Sequence, residues 1–367
     1  MKSIRFSALR PGMMIVEDVL GEDGLLVLKK DTYVTDFVLD LLESHNVQKV
    51  TIDDASEATE EKEDSNINLA PNGLLTENKL MQTEEFLQFK TACLKMCDTL
   101  EVSLNNIVLE NNSMKHAQSL INDSLDFYRE YVNATNILDM LQCMHHFIDT
   151  IYLHSLNVGM IASLLGRWLG WAEDDIELLV ACGVFHDIGK IKIPDYILEK
   201  PDKLTKAEFA IMRAHTMEGY NVLKDLDIDE RIKDVALRHH RKCDGSGYPN
   251  QVDIAELDRF TKVITIADVY EAMTANRSYR EAFCPFKVVD MFQHDGYSVY
   301  DTEYLLTFLR HVVDSYIHSH IALSNGSMAE VIMINNHNLS RPLVFTNDGE
   351  FLDLSQRQDI SILHMAE

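Results

Sequence analysis

The sequence predicts a mainly helical protein with a small α/β module at its N-terminus and a short β-rich extension at its C-terminus. Between residues 76 and 320 prolines are few, and apolar residues recur at the i, i+3 and i+4 spacing of an amphipathic helix. On either side, short apolar runs separated by glycine and Asp-Gly turns are typical of strands. The fold class is therefore mainly α, with a small β-containing region at each end.

The first 54 residues predict the small mixed module. "MMIVEDVL", "GLLVLKK" and "VQKVTID" are strand candidates, and the apolar series from Val34 to Leu42 predicts a short helix between the second and the third. An acidic stretch follows, because positions 53–64 hold seven acidic residues and one lysine. Such a charge run favours a solvated linker, which we place at residues 55–75.

The helical region is divided by its motifs. Residues 76–135 are expected to form a helical connecting or regulatory region, and residues 136–320 the catalytic domain. In the β-rich extension at 321–367, "AEVIMIN", "RPLVFT" and "FLDLS" are strand candidates. The apolar helices at 76–140 are compatible both with a homodimer interface and with packing inside one chain, and the sequence leaves the two open.

Composition excludes several classes of partner. The 367 residues are 46% apolar and 25% charged, which is ordinary for a globular protein. The net charge of −26 argues against a general affinity for DNA, RNA or anionic membranes. The most apolar stretch, Ile148–Trp171, contains His154, Asn157 and Arg167, so no membrane insertion is expected. Six cysteines without a CxxC pair, and no signal-peptide segment, predict free thiols in a cytoplasmic protein.

Seven polar residues interrupt or end the apolar helices of the predicted catalytic domain. Burying an imidazole or a carboxylate costs free energy unless it finds a partner. One such histidine is ordinary, but five histidines and two aspartates at successive helix ends favour a shared metal centre. Imidazole and carboxylate without thiolate suit iron or manganese, and seven ligands predict two divalent ions. The candidate ligands are His154, His186, Asp187, His215, His239, His240 and Asp268.

The motifs around these residues resemble the HD-GYP branch of the HD superfamily of metal phosphohydrolases. They are "HSLNV", "HDIGKIKIPDYIL", "AHTMEG", "HHRKCDGSGYP" and "IADVYEAMTANRSYR", spread over residues 150–285. The triplet from Gly247 to Pro249 is the one that names the branch. The resemblance implies a helical HD-type domain and a bacterial signalling phosphodiesterase. Its substrate would be cyclic di-GMP, opened to the linear dinucleotide with or without further cleavage to GMP.

The resemblance also implies how the seven ligands are shared. One metal would be held by His154, His186, Asp187 and Asp268. The other would be held by His215, His239 and His240, with Asp187 as the bridge. A hydroxide bridging the two metals would then be the nucleophile.

Further roles follow from the same resemblance. Lys190 is expected to neutralise negative charge on the phosphate in the transition state, so Asp187 and Lys190 are the candidate catalytic residues. The substrate-binding residues it implies are Lys190, Gly247, Tyr248, Arg277, Tyr279 and Arg280.

The sequence departs from the family pattern at several positions. Thr150 stands where members with three metals carry a glutamate, which supports two metals here. Arg241 replaces the usual glutamate after the paired histidines; the added positive charge beside the second metal would either help an anion bind or weaken the metal. Ser278 stands where proline is common. For His145 and His146 the family offers no role, so a place on the surface or behind the ligands is favoured. Two alternatives remain: a weakly active or inactive scaffold that binds cyclic dinucleotides, and a hydrolase of another cyclic dinucleotide.

Overall fold

A computed structural model describes residues 80–109, 113–134, 137–249, 257–275 and 282–366. Of the first 52 residues it describes 2–6, 9–10, 13–17, 19–20, 26–28, 32–34, 39, 42, 47 and 49–52. The chain divides into two compact units, Met1–Leu69 and Ala70–Glu367. The predicted acidic linker at 55–75 lies outside the described residues. The finer boundaries at residues 54, 76, 136 and 321 stay predictions.

The smaller unit contains a four-stranded antiparallel sheet, in the order β1-β6-β2-β5, and a separate pair of strands, β3 and β4. The strands are β1 Lys2–Arg5, β2 Met14–Ile15, β3 Val19–Leu20, β4 Leu26–Leu28, β5 Thr32–Tyr33 and β6 Lys49–Ile52. Each of the three strand candidates contains at least one of them. Ile15 and Ile52 pair across the sheet and are fully buried. Within the predicted helix at 34–42, Leu39 and Leu42 are helical, and residues 35–38 and 40–41 lie outside the described residues.

The larger unit is mainly helical, which confirms the predicted fold class. Its helices are α1 Glu84–Leu109, α2 Ser113–Tyr131, α3 Ile137–Cys143, α4 Ile151–Trp168, α5 Glu173–Phe185, α6 Asp195–Leu198, α7 Lys206–Arg213, α8 His215–Leu223, α9 Glu230–Arg238, α10 Arg259–Thr274, α11 Pro285–Met291, α12 Tyr297–Val299 and α13 Thr302–Asp314. The chain also contains two 3₁₀ turns. Met144–His146 lies between α3 and α4, and Ile188–Lys192 lies between α5 and α6.

Helices α4 and α5 form the centre of the larger unit. Helix α4 is buried almost all round, which explains why its sequence is apolar on every face. It begins at Thr150, whose side-chain oxygen accepts a hydrogen bond from the Leu153 backbone N–H. The two helices touch at Gly159 and Gly183, where a Cβ on Gly183 would overlap the Gly159 backbone. Near this crossing, the His154 ring in the first turn of α4 lies 5.2 Å, centroid to centroid, from the ring of His186, which follows α5.

The C-terminal extension is a five-stranded antiparallel sheet in the order β10-β9-β8-β7-β11. The strands are β7 His320–Leu323, β8 Met328–Met333, β9 Leu343–Thr346, β10 Phe351–Asp353 and β11 Ile362–Ala366. The three strand candidates in the sequence correspond to β8, β9 and β10. Strands β7 and β11 were not predicted, because "HIAL" and "ILHMA" carry weak alternation and are specified by pairing with each other.

Two further findings concern the whole described part of the chain. None of its helices combines the length and the apolar character needed to cross a membrane. All six cysteines are free; four are buried, and Cys243 and Cys284 are partly exposed.

Candidate metal centre

The junction after α5 places the first two candidate ligands. His186 follows the last residue of α5, and Asp187 precedes the 3₁₀ turn Ile188–Lys192. This turn packs against α8 at Gly189, where a Cβ would collide with the carbonyl oxygen of His215. A glycine at this position therefore lets the Asp187 turn approach the start of α8, where His215 is the first residue.

Helices α9 and α10 supply the remaining ligands. His239 and His240 follow the last residue of α9. The hydroxyl of Thr265 on α10 donates a hydrogen bond of 2.7 Å to the His239 carbonyl, which fixes this helix end against α10. Asp268 lies three residues further along α10, almost one turn, and so faces the same side. The apolar helices thus converge with their polar residues at one place.

The structure brings all seven predicted ligands together in two clusters. In each cluster, one possible ligand atom per residue lies within 4.8 Å of the others. We call the first the His154 group; it contains His154, His186 and Asp268. The second, the His215 group, contains Asp187, His215, His239 and His240. All are buried except His240, whose side chain is 25% exposed.

Asp187 belongs to the His215 group but also faces the histidines of the His154 group. Its Oδ2 atom is 3.2 Å from Nε2 of His186 and 3.4 Å from Nε2 of His154. Its Oδ1 atom is 3.3 Å from Nε2 of His215 and 3.6 Å from Nε2 of His239. One carboxylate oxygen therefore faces each group, which is the placement that a bridging ligand requires.

The other aspartate faces both groups as well. Oδ1 of Asp268 is 3.1 Å from Nε2 of His154, and Oδ2 is 3.8 Å from Nδ1 of His240. The two carboxylates together thus line the space between the histidines.

The backbone fixes which ring nitrogens are free to bind a cation. The Nδ1 atoms of His186, His215 and His239 each lie 2.6 to 3.0 Å from a backbone carbonyl oxygen, of Gly183, Met212 and Val235 respectively. A carbonyl only accepts, so these Nδ1 atoms carry the proton and each Nε2 presents a lone pair toward Asp187.

Lone pairs thus face a carboxylate across a buried space. Nε2 of His186 and Oδ1 of Asp187 make no hydrogen bond in the described part of the chain, and Oδ2 of Asp187 is paired with the ammonium of Lys190. Acceptors that converge in this way repel one another unless cations lie between them. The donor set therefore fits divalent metal ions, with nitrogen and oxygen ligands and no thiolate.

Three of the seven ligands, His215, His240 and Asp187, have a pKa shifted toward the form that binds metal. Burial lowers the pKa of His215 to about 3, and burial together with the neighbouring His239 side chain lowers that of His240 well below its ordinary value. Burial would raise the pKa of Asp187, but the neighbouring His186 and Lys190 side chains outweigh it and hold the pKa well below its usual range. Neutral imidazoles and an ionised carboxylate are the forms that bind metal. His154 differs, because burial would lower its pKa but the carboxylates of Glu271, Asp187 and Asp268 raise it well above its ordinary value.

Glu271 is a candidate functional residue that the sequence analysis missed. It lies three residues after Asp268 on the same face of α10, and its Oε2 atom accepts a hydrogen bond from Nδ1 of His154. The side chain is 2% exposed, and His154 lowers the pKa of this carboxyl against the effect of burial. The i, i+3 spacing from Asp268 inside the motif "IADVYEAMTANRSYR" was the signal that could have identified it.

The loop from Arg241 to Pro249 folds back onto the end of α9. Gly247 has a φ of +86°, and a Cβ there would collide with the carbonyl oxygen of His240. The Tyr248 ring lies 4.6 Å from the His240 ring, centroid to centroid. The guanidinium of Arg241 donates to the carbonyls of Gly245 (2.5 Å) and Ser246 (3.4 Å), so its positive charge serves to close the loop.

Lys190 and the remaining candidates complete the predicted set. The ammonium of Lys190 is 2.5 Å from Oδ2 of Asp187, and its side chain is 21% exposed, so it borders the cluster from the solvent side. Three of the predicted substrate-binding residues lie outside the described residues: Arg277, Tyr279 and Arg280.

Comparison with known protein families fits this geometry. Residues 154–304 match a family model described as an HD domain. This stretch of the chain is an HD domain. The match begins at His154 and includes the other six candidate ligands.

The relatives of this HD domain include named phosphodiesterases. The cyclic di-GMP phosphodiesterase PA4108 of Pseudomonas aeruginosa is 28% identical over 231 residues, which cover 62% of this chain and 55% of the relative. The 3'3'-cGAMP-specific phosphodiesterase 1 of Vibrio cholerae is 29% identical over 176 residues, covering 47% of this chain and 41% of the relative. The chain thus spans about half the length of these relatives.

A solved structure shares the fold. It is Bd1817, described as a HDG"Y"P protein from Bdellovibrio bacteriovorus, with a TM-score of 0.51 and 15% identity. The alignment covers 84% of this chain and 97% of Bd1817. At this identity the likeness supports the fold alone.

Proposed function

We propose that this chain is a metal-dependent phosphodiesterase that hydrolyses cyclic di-GMP to the linear dinucleotide. The observation that carries the proposal is the Asp187 carboxylate, which presents one oxygen to each of two buried histidine groups. The two relatives named above, which act on cyclic dinucleotides, support the substrate class. A cytoplasmic location and the absence of DNA or RNA partners stay predictions from the sequence.

The proposed centre binds two divalent ions, iron or manganese. The His154 group would hold one ion and the His215 group the other, with Asp187 shared. When bound, such ions act as Lewis acids on the phosphate and lower the pKa of water. The protein's own part is to hold the ligands in their binding forms and to exclude solvent from the space between them.

Three parts of the chain are proposed to hold the substrate. Lys190 would approach a phosphate oxygen from the partly exposed side and neutralise its negative charge. The Tyr248 ring, which packs against His240 and lies beside the Arg213 guanidinium, would contact a base of the substrate. Arg277, Tyr279 and Arg280 keep the substrate-contact role that the family resemblance implies for them.

The two alternatives differ in their support. A preference for a mixed cyclic dinucleotide is supported by the relative named for 3'3'-cGAMP. A scaffold without turnover is less favoured, because all seven candidate ligands converge and Arg241 is engaged by loop carbonyls. A weakened site would be expected to lack a ligand.

One assay separates these functions. Protein stripped with a chelator is reloaded with Mn²⁺ or Fe²⁺ under anaerobic conditions, and then incubated separately with cyclic di-GMP and 3'3'-cGAMP. Products are resolved by liquid chromatography. We expect faster conversion of cyclic di-GMP to the linear dinucleotide, and none without metal. Faster conversion of 3'3'-cGAMP would make that dinucleotide the preferred substrate. If the metal-loaded protein bound both dinucleotides without turnover, the proposal that it is an enzyme would be rejected.

Lys190→Met should lower kcat by on the order of 10²–10³-fold while leaving metal content intact, because it removes one charge directed at the transition state. Methionine keeps much of the side-chain length and packing. The matched control is Lys192→Met, whose ammonium is 3.0 Å from Glu218 in an exposed pair. Steady-state kinetics with metal analysis checks both variants. Equal kcat values for the two would remove Lys190 from the catalytic residues.

A further inference from the structure

The segment just before the HD domain contacts Glu271, the carboxylate that accepts a hydrogen bond from the candidate ligand His154. It comprises the 3₁₀ turn Met144–His146 and Phe147, all of which precede the family match at residue 154. Phe147 packs on helix α1: its ring is 6.1 Å from the Phe86 ring, and the ammonium of Lys90 lies 3.3 Å from its centroid. The segment is thereby attached to the helical region on one side.

On its other side the segment contacts Glu271. Nε2 of His145 lies 2.9 Å from Oε1 of Glu271, and the two side chains are 4% and 2% exposed. The second oxygen of the same carboxylate accepts the hydrogen bond from Nδ1 of His154. Each oxygen of Glu271 therefore holds one histidine, and only His154 belongs to the ligand groups. The sequence left open whether His145 lies on the surface or behind the ligands. In the structure it lies behind the ligand His154, with Glu271 between them.

The proton on His145 can be placed from its surroundings. Its Nδ1 atom has no hydrogen-bond partner within the described residues, whereas Nε2 faces a carboxylate that only accepts. His145 therefore donates Nε2–H to Glu271. The amide of Asn157, 3.4 Å from the same oxygen, is a longer and weaker donor.

We propose that His145 is a positioning residue for His154, acting through Glu271, and that the region preceding the HD domain controls metal affinity through it. The proposal rests on the proposed function, in that it requires the His154 group to bind metal. A ligand histidine is held by the partner of its other nitrogen, and that partner is in turn held by its own hydrogen bonds. Without His145, Oε1 of the buried Glu271 loses its closest hydrogen-bond donor among the described residues. The carboxylate can then rotate away from His154.

The test compares three replacements of His145. Glutamine can place an N–H near the position of Nε2, asparagine is polar but too short to do so, and leucine has no donor. The apo proteins are titrated with Co²⁺, whose absorption bands report the ligand geometry. We expect Leu and Asn to weaken binding of one of the two ions roughly 10–100-fold and to change its bands, and Gln to restore both. The matched control is His146→Leu, which changes the next residue in the sequence, an exposed one. This variant should bind Co²⁺ as the native protein does.

The outcomes are decisive in both directions. If His145→Leu fails to fold, the Gln and Asn variants decide, since both are polar and differ in reach. Equal Co²⁺ affinities and spectra for Gln, Asn and native protein would overturn the proposal. Native protein that binds two ions but hydrolyses no cyclic dinucleotide would instead reject the proposed function and leave the role of His145 standing.

Discussion

Replacing Asp187 with asparagine should abolish turnover and prevent binding of both metals, while the protein remains folded. Each oxygen of Asp187 lies within 3.6 Å of two histidines of a different group, whereas Asp268 reaches the His215 group only at His240, 3.8 Å away. Asparagine has the same shape but offers one oxygen, and its NH₂ group would donate to histidine nitrogens that metals need. The expected loss of metal affinity exceeds the roughly 10–100-fold seen when only a supporting residue is removed.

Stability without metal should fall as well. The pKa of Asp187 is held well below its usual range despite burial, and the ammonium of Lys190 lies 2.5 Å from Oδ2, so the folded apo protein favours the ionised carboxylate. We therefore expect apo Asp187→Asn to unfold at a lower denaturant concentration than apo native protein at neutral pH. Metal analysis, turnover and urea unfolding measure the three quantities. Asp195→Asn, an exposed position in the same "HDIGKIKIPD" stretch, is the matched control. A variant that still binds two ions would show that Asp187 is not the bridge.

The convergence of the seven candidate ligands could be predicted because the signal is local. Each ligand is a polar residue at the end or on the face of an apolar helix, and such a residue needs a partner wherever the helix packs. His239 and His240 at the end of α9, and Asp268 inside α10, illustrate this. The mainly helical fold was predicted for the same reason, because helical periodicity is local to each segment.

The supporting contacts could not be predicted in this way. His145 and Glu271 are 126 positions apart, and their pairing depends on how α3, α4 and α10 pack together. The direction of the Arg241 side chain could not be predicted either, because the sequence shows its charge but not the loop carbonyls that accept its hydrogen bonds. Strands β7 and β11 depend on each other across the sheet, so neither has a strong pattern by itself.

The close contact between α4 and α5 leads to the second large effect. Gly183→Ala should lower the free energy of unfolding by about 3 kcal/mol, the upper part of the range for inserting atoms into a packed core. The new Cβ would overlap backbone atoms of Gly159, which cannot move aside as a side chain can. The two helices must therefore separate, and His154 on α4 would move away from Asp187 after α5. Chemical unfolding of the apo protein measures the cost, and Co²⁺ titration measures the weakened centre.

Gly166→Ala tests whether the backbone contact is the cause. Gly166 lies in the same pair of helices, but its Cβ would meet the tip of Leu179, 2.6 Å from Cδ1, and that side chain can rotate. Both substitutions gain about 1 kcal/mol of helix propensity, so their difference isolates the crowding. We expect Gly166→Ala to change stability by less than about 1 kcal/mol and to bind metal normally. If both variants lost the same stability and the same metal affinity, the distance between helices would not be what holds His154 beside Asp187, and the hydrogen bond from His186 to the Gly183 carbonyl would be the next contact to test.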